Sequence, residues 1–135
     1  MASVFRNDRV HVAEYEYDFA KDGGATGAYS LSSKTGKSSL PSGAIVKQVL
    51  VVGQTALVGS SASAKIGTTG SSTVYKAQVT ATLYTASAVF SYSTPFNANA
   101  NNRDVIMTVN GAALTAGKLK VLVEYCLPNT TSQSA

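Results

Sequence analysis

The segment from Leu114 to Cys126 constrains the fold more than any other part of this chain. Leu114-Thr115-Ala116-Gly117 reads as a turn, and the residues after it alternate. Leu119, Val121, Val123 and Tyr125 fall on one side, and Lys118, Lys120, Leu122 and Glu124 on the other. A period of two is that of a strand with one face in a core. Pro128 ends it, because proline has no N–H to give to a ladder.

The same period recurs along the chain. From Val10 to Phe19, His11, Ala13, Tyr15, Tyr17 and Phe19 share one face against Glu14, Glu16 and Asp18. Lys21 to Ala28 holds Gly23, Gly24 and Gly27 and reads as a loop, with a short strand starting at Tyr29. Ser32 to Ser39 reads as a loop and Leu40-Pro41-Ser42-Gly43 as a turn. Ala44 to Val52 is the most apolar run, and its β-branched residues favour a central strand that also carries Lys47 and Gln48. Gly53 to Ser61 is expected to be a loop. Ala62, Ala64 and Ile66 form a short strand, and Tyr75, Ala77, Val79 and Ala81 form the apolar face of another. Ala81 to Tyr92 reads as irregular or a short helical turn, and Pro95 to Asn102 as a loop. Asp104 to Asn110 is a strand with Val105, Met107 and Val109 on one face, followed by the turn dipeptide Asn110-Gly111. About seven or eight short strands separated by turn signals predict an all-β chain, an antiparallel β-sandwich of jelly-roll-like form. The expected organisation is an arm over residues 1–9, one sandwich over 10–127 and a tail over 128–135.

Composition narrows the function classes. A chain of 135 residues is one domain by length, and that size buries roughly two thirds of its unfolded surface without staples. Only 13% of residues are charged, about half the usual share. Low charge with many small residues suits surfaces that pack against copies or partners, and also all-β secreted domains. Residues 1–22 carry three basic groups against five acidic, a net −2, and residues 23–135 carry eight against two, a net +6. The lysines are scattered from Lys34 to Lys120, whereas a nucleic-acid reader clusters its basic residues with stacking aromatics between them, and no nucleic-acid partner is expected. No stretch approaches the roughly 18 apolar residues of a membrane helix. The first residues lack the apolar core of a signal peptide, so no membrane partner or secretion route is expected.

The reactive side chains are few. His11 is the single histidine and sits among apolar and aromatic strand neighbours, with no oriented acid or base beside it. Glu14 and Glu16 lie about 7 Å apart on one strand face, a spacing that could serve glycoside hydrolysis or a cation but more often marks a solvated face. One histidine and one cysteine cannot build a zinc site. Asp18, Asp22 and the glycines after them could offer oxygens to calcium, although no calcium-loop motif is present. Thr35-Gly36-Lys37-Ser38 imitates the end of a phosphate loop, but Leu31 stands where its first glycine belongs. Cys126 has no base or cationic setting to activate it. The tyrosines could form a binding platform, but Tyr15, Tyr17, Tyr75 and Tyr125 fall on apolar faces. No enzyme activity, cofactor or metal is expected.

Two stretches resemble small virion proteins of tailed bacteriophages, of the capsid decoration or cement type. They are Leu40-Pro41-Ser42-Gly43-Ala44-Ile45-Val46-Lys47-Gln48-Val49 and the run from Met107 through Asn110-Gly111-Ala112-Ala113-Leu114-Thr115-Ala116-Gly117-Lys118 to Tyr125. The resemblance implies a jelly-roll-like domain, made in the host cytoplasm and seated on the outer surface of an icosahedral head. There it would bridge neighbouring major capsid subunits as a homodimer or homotrimer. The arm and tail are then expected to make capsid or intersubunit contacts. Val4 and Phe5 would be the arm's apolar anchors beside Arg6 and Arg9, with Lys47 and Gln48 near a rim or interface. The alternative is a receptor- or glycan-binding sandwich of a fibre or tail, which needs an exposed aromatic platform or a metal site. A secreted adhesin is a third class, disfavoured by the first residues.

Overall fold

A computed structural model describes residues 11–31, 40, 44–93, 95–97 and 103–126. The strands are β1 (His11–Asp18), β2 (Gly27–Ser30), β3 (Ile45–Val58), β4 (Ser63–Gly67), β5 (Lys76–Thr80), β6 (Val89–Tyr92), β7 (Phe96–Asn97), β8 (Ile106–Asn110) and β9 (Ala116–Cys126). A helical turn, α1 (Phe19–Asp22), follows β1, and a 3-10 turn, η1 (Ala81–Leu83), follows β5.

Every strand pair is antiparallel. One sheet has the order β1-β9-β3-β6, with β7 also on β3, and the other has the order β2-β8-β4-β5. β6 and β7 lie in succession along the same side of β3, opposite Val49–Val52 and Ile45–Val46. They occupy one strand position, interrupted beside Pro95, which cannot donate to a ladder. The hairpin-like pairs are then nested: β4 with β5 innermost, β3 with β6 and β7 around it, β2 with β8 next, and β1 with β9 outermost. Rolling that long double ribbon adds the contacts β9–β3 and β8–β4, and two four-position sheets result. This is the jelly roll.

The core lies between the sheets. Tyr15, Tyr17, Val46, Val49, Val51, Leu119, Val121 and Val123 enter it from the first sheet, and Ala64, Ile66, Met107 and Val109 from the second. Each fully buried aliphatic side chain contributes about 1.5–3 kcal/mol. Aromatic pairs close the two open sides. Tyr17 of β1 meets Tyr29 of β2 edge to face at 5.5 Å, and Tyr75 meets Tyr92 of β6 at 5.7 Å.

Several expectations are corrected. The loop read at Gly53 to Ser61 is strand through Val58, since β3 continues to pair with β9 through register shifts at Gly53/Thr55 and Thr55/Val58. Those bulges break the period of two, so the pattern hides the strand. Ala77 is exposed rather than in the core. A register shift between β4 and β5 sets Val79 opposite Ala64 and Lys76 opposite Ile66, so Ala77 and Gln78 together oppose Lys65. Lys76 therefore lies at the open side of the sandwich, 4.4 Å from the centre of the Phe90 ring. Ala81 to Tyr92 resolves into η1 and β6, and the loop read from Pro95 contains β7. The loop read at Ser32 to Ser39 lies outside the described residues.

Two glycines are required by close approach. At Gly53 a Cβ would sit 2.1 Å from the Thr85 carbonyl oxygen, because the β6 lead-in bonds Gly53 on both sides (Gly53 N to Ala88 O, Ser87 N to Gly53 O). At Gly117 the backbone has φ +135° and a Cβ would meet Leu57. Tyr84 donates its buried hydroxyl to the Ala64 carbonyl at 3.1 Å, which ties η1 to β4. Gly53→Ala is expected to cost about 1–3 kcal/mol by overpacking. Tyr84→Phe is expected to cost about 1 kcal/mol for the lost bond. Urea melts of both variants against the parent chain check the order and the size.

Candidate functional site

Among the described residues, the titratable side chains of β1 and α1 make structural contacts. His11 stacks on Tyr125 at 5.4 Å across the β1–β9 ladder. Glu14 pairs with Lys120 at 2.5 Å and Glu16 with Lys118 at 3.5 Å, each across the same ladder. The Glu14 partnership, first through its hydrogen bond and then through its charge, raises the Lys120 pKa above its ordinary value. Asp18 Oδ1 accepts from Ala20 N and Asp22 Oδ2 from Asp18 N, so both carboxylates cap α1. Cys126 is a half-buried free thiol at the end of β9. Among the described residues, no three His, Cys, Asp or Glu side chains come together as a metal site.

The aromatic residues are equally committed. Every described Tyr and Phe is buried or half-buried. Tyr17 donates to the Gly23 carbonyl and Tyr29 to the Ala25 carbonyl, each at 2.5 Å. Burial pushes the phenols of Tyr17, Tyr75 and Tyr84 far above the ordinary tyrosine value, with nearby Tyr29, Asp22 and Asp18 adding to the effect at Tyr17.

Sheet surface remains available. On the outer face of the first sheet, side chains lie in rows set by register. One row is Glu14, Leu122, Leu50 and Ser91, and the next is Glu16, Lys120, Val52 and Val89. Leu50, Val52 and Leu122 are half-buried by their neighbours, and Val89 is 60% exposed. An apolar strip thus crosses β9, β3 and β6, beside cross-strand ion pairs. The row nearer the chain ends is Val12, Glu124 and Gln48, with Val12 59% exposed.

Lys47 and Gln48 sit at a bulge of β3, between inward Val46 and Val49; Lys47 is exposed and Gln48 half-buried opposite Glu124. A bulge of this kind lets two consecutive side chains share the outer face. Register places this bulge beside the points where the ends of the chain leave the sheet, since His11 lies opposite Tyr125 and Cys126 opposite Ile45. Val4, Phe5, Arg6 and Arg9 lie outside the described residues. The strip of Leu50, Val52, Leu122 and Val89 was not picked out by sequence reasoning. Its signal was the unbroken run Val49-Leu50-Val51-Val52, in which both faces are apolar.

The fold is a jelly roll in which the described reactive groups cap, stack or pair and broad sheet faces remain. Two solved structures share this fold over nearly the whole chain. A chain of the cyanophage Pam1 capsid asymmetric unit matches with a TM-score of 0.66 at 25% identity, covering 90% of this chain and 87% of that one. A chain of the acidic stable capsid structure of Helicobacter pylori bacteriophage KHP30 matches with a TM-score of 0.62 at 21% identity, covering 92% of each; that likeness is one of fold. No family model matches, and no curated protein matches. The structural likenesses agree with the resemblance of the two sequence stretches and support a structural role in a phage virion.

The buried phenols make a pH prediction. A phenol is charged only after losing its proton, so a raised folded pKa means the folded chain keeps protons that the unfolded chain loses near pH 10. Their contribution to stability is complete below about pH 10 and declines as pH rises beyond it. In an alkaline titration followed by phenolate absorbance, Tyr17, Tyr75 and Tyr84 should ionise together with loss of the β-sheet circular dichroism signal.

Proposed function

We propose that this chain is a capsid decoration, or cement, protein that binds the outside of a tailed-phage head and bridges major capsid subunits. The observation that carries the reading is the coverage of the Pam1 match, which is nearly equal on the two chains. A jelly roll of about this length therefore stands as a chain by itself within that capsid asymmetric unit. A small domain with no assembled reactive centre among its described residues, repeated by icosahedral symmetry, suits many modest contacts that act together.

The arm over residues 1–9 and the tail over 128–135 are the proposed capsid contacts. Both attach at the end of the first sheet that carries Lys47 and Gln48. Val4 and Phe5 supply apolar anchors, and Arg6, Arg9 and Lys47 supply positive charge toward an acidic capsid surface. In this reading the chain has no enzymatic activity and works at the outer capsid surface after synthesis in the host cytoplasm.

Mass analysis of purified particles tests the role. Decoration requires hundreds of copies per virion, whereas a handful indicates a tail or fibre component. Deleting residues 1–9 is expected to lower occupancy on undecorated heads at least tenfold while leaving the thermal melt of the sandwich unchanged. Undiminished occupancy would remove the arm from the contact.

A further inference from the structure

We infer that the turns around Val58 and Leu83 form a second, charge-free contact that takes a neutral aliphatic surface of a neighbouring major capsid subunit. This rests on the decoration reading and deepens it. A bridge between subunits needs two contacts, and the proposed arm, tail and Lys47 contacts all attach at the other end of the first sheet.

The position follows from β3. The strand runs from the bulge at Lys47 to Val58, and antiparallel pairing sets Val58 opposite Ala116, the end of β9 remote from Tyr125 and His11. The residues from Lys47 to Val58 span at most about 36 Å of strand. Contacts at the two ends of β3 therefore fall on separate places of a capsid surface, as bridging requires.

Main-chain bonds build this surface. Thr115 N donates to the Val58 carbonyl at 2.7 Å, Leu57 N to the Tyr84 carbonyl at 3.0 Å, and Ala81 N to the Ala62 carbonyl at 2.9 Å. Thr115 Oγ1 also donates to the Val58 carbonyl, at 3.2 Å. The turn after β3, the η1 turn and the turn before β9 are thus tied together, with Val58 between Thr115 and the strand-to-η1 bond. Ser61 and Ser87, at φ 63° and 70°, lie in the first two of these connections, and among the described residues they are the non-glycine positions with positive φ. Such backbone persists only where its surroundings hold it. A surface held in this way loses little freedom when a partner covers it.

The chemistry selects the partner. Val58 is 48% exposed and Leu83 54%. Thr82, Ala113 and Thr115 beside them are exposed too. No charged residue occurs from Gly53 to Ala64, from Ala77 to Asn102 or from Val105 to Gly117. Toward β1 the charges are those of α1, where Asp18 and Asp22 cap the turn, and the Lys118–Glu16 pair. A charged group of a partner would lose its water over Val58 and Leu83 with nothing to pair it. A glycan would need an open ring platform, and every described Tyr and Phe is buried or half-buried. A neutral aliphatic protein surface fits. Burial of apolar area is not screened by salt, whereas the proposed cationic contact through Arg6, Arg9 and Lys47 is.

Titration of undecorated heads with the full chain, at low and at high salt, tests this. The double variant Val58→Asp with Leu83→Asp should weaken head binding by about tenfold or more. Its remaining binding should fall more steeply with salt than that of the parent chain, because only the cationic contact is left. Val58→Ser with Leu83→Ser, which adds no charge, should weaken binding in the same direction by a smaller factor. Both side chains are exposed, so the thermal melt of each variant should match the parent. A parent chain that leaves heads bare removes the decoration reading and this inference together. A parent chain that binds, with an aspartate variant that binds equally well, overturns this inference alone. So does a weakened variant whose oligomeric state in sedimentation equilibrium differs from the parent, which would give the surface to a second copy.

Discussion

The ladder between β3 and β9 holds the rest of the structure in place. β9 is paired along both edges, with β1 over eight residues and with β3 over most of its length. Its inward residues Leu119, Val121 and Val123 are fully buried, with Val123 opposite Val49, Val121 opposite Val51 and Leu119 opposite Gly53 across the seam. This pairing joins residues far apart in the chain. It converts the nested double ribbon into two sheets, because β1 and β9 reach β3 only after the ribbon has rolled. The loop-closure entropy of such distant partners is repaid by apolar burial between the sheets. The bulges of β3 then bend that strand around the sandwich, and at Gly53 the bend brings the backbone against Thr85 closely enough to exclude any side chain.

β9, shared between that ladder and the one with β1, also organises the surface. Antiparallel register sets the acidic row of β1 against the lysines of β9, so charges that look dispersed in the sequence neutralise one another across strands. It also gathers Leu50, Leu122, Val52 and Val89 into one strip, and leaves Lys47 and Glu124 on either side of the seam. The chain's ends leave beside them. The apolar strip and the bulge at Lys47 therefore lie on different parts of one sheet, both outside the core.

Much of the fold was legible because half-buried strands write their period into the sequence. The inward sets Tyr15 and Tyr17, Met107 and Val109, and Leu119, Val121 and Val123 were readable from alternation alone. Reading failed where the period was broken for a structural reason. β3 beyond Gly53 bulges twice, β5 slips by one residue beside Ala77, and β6 and β7 are short pieces interrupted near Pro95. The surface strip was illegible for another reason. In Val49-Leu50-Val51-Val52 every residue is apolar, so nothing local says which two face out.

The sequence by itself determined that this is an all-β chain and which residues could fill its core. These are local properties, set by side-chain period and residue type. Only the tertiary structure decided which strands are neighbours, and with that the pairing of Glu14 with Lys120, the bulge that turns Lys47 outward, and the continuity of Leu50 with Leu122. Each depends on register between segments distant in the chain, and register is chosen by the packing of the whole core rather than by any one strand.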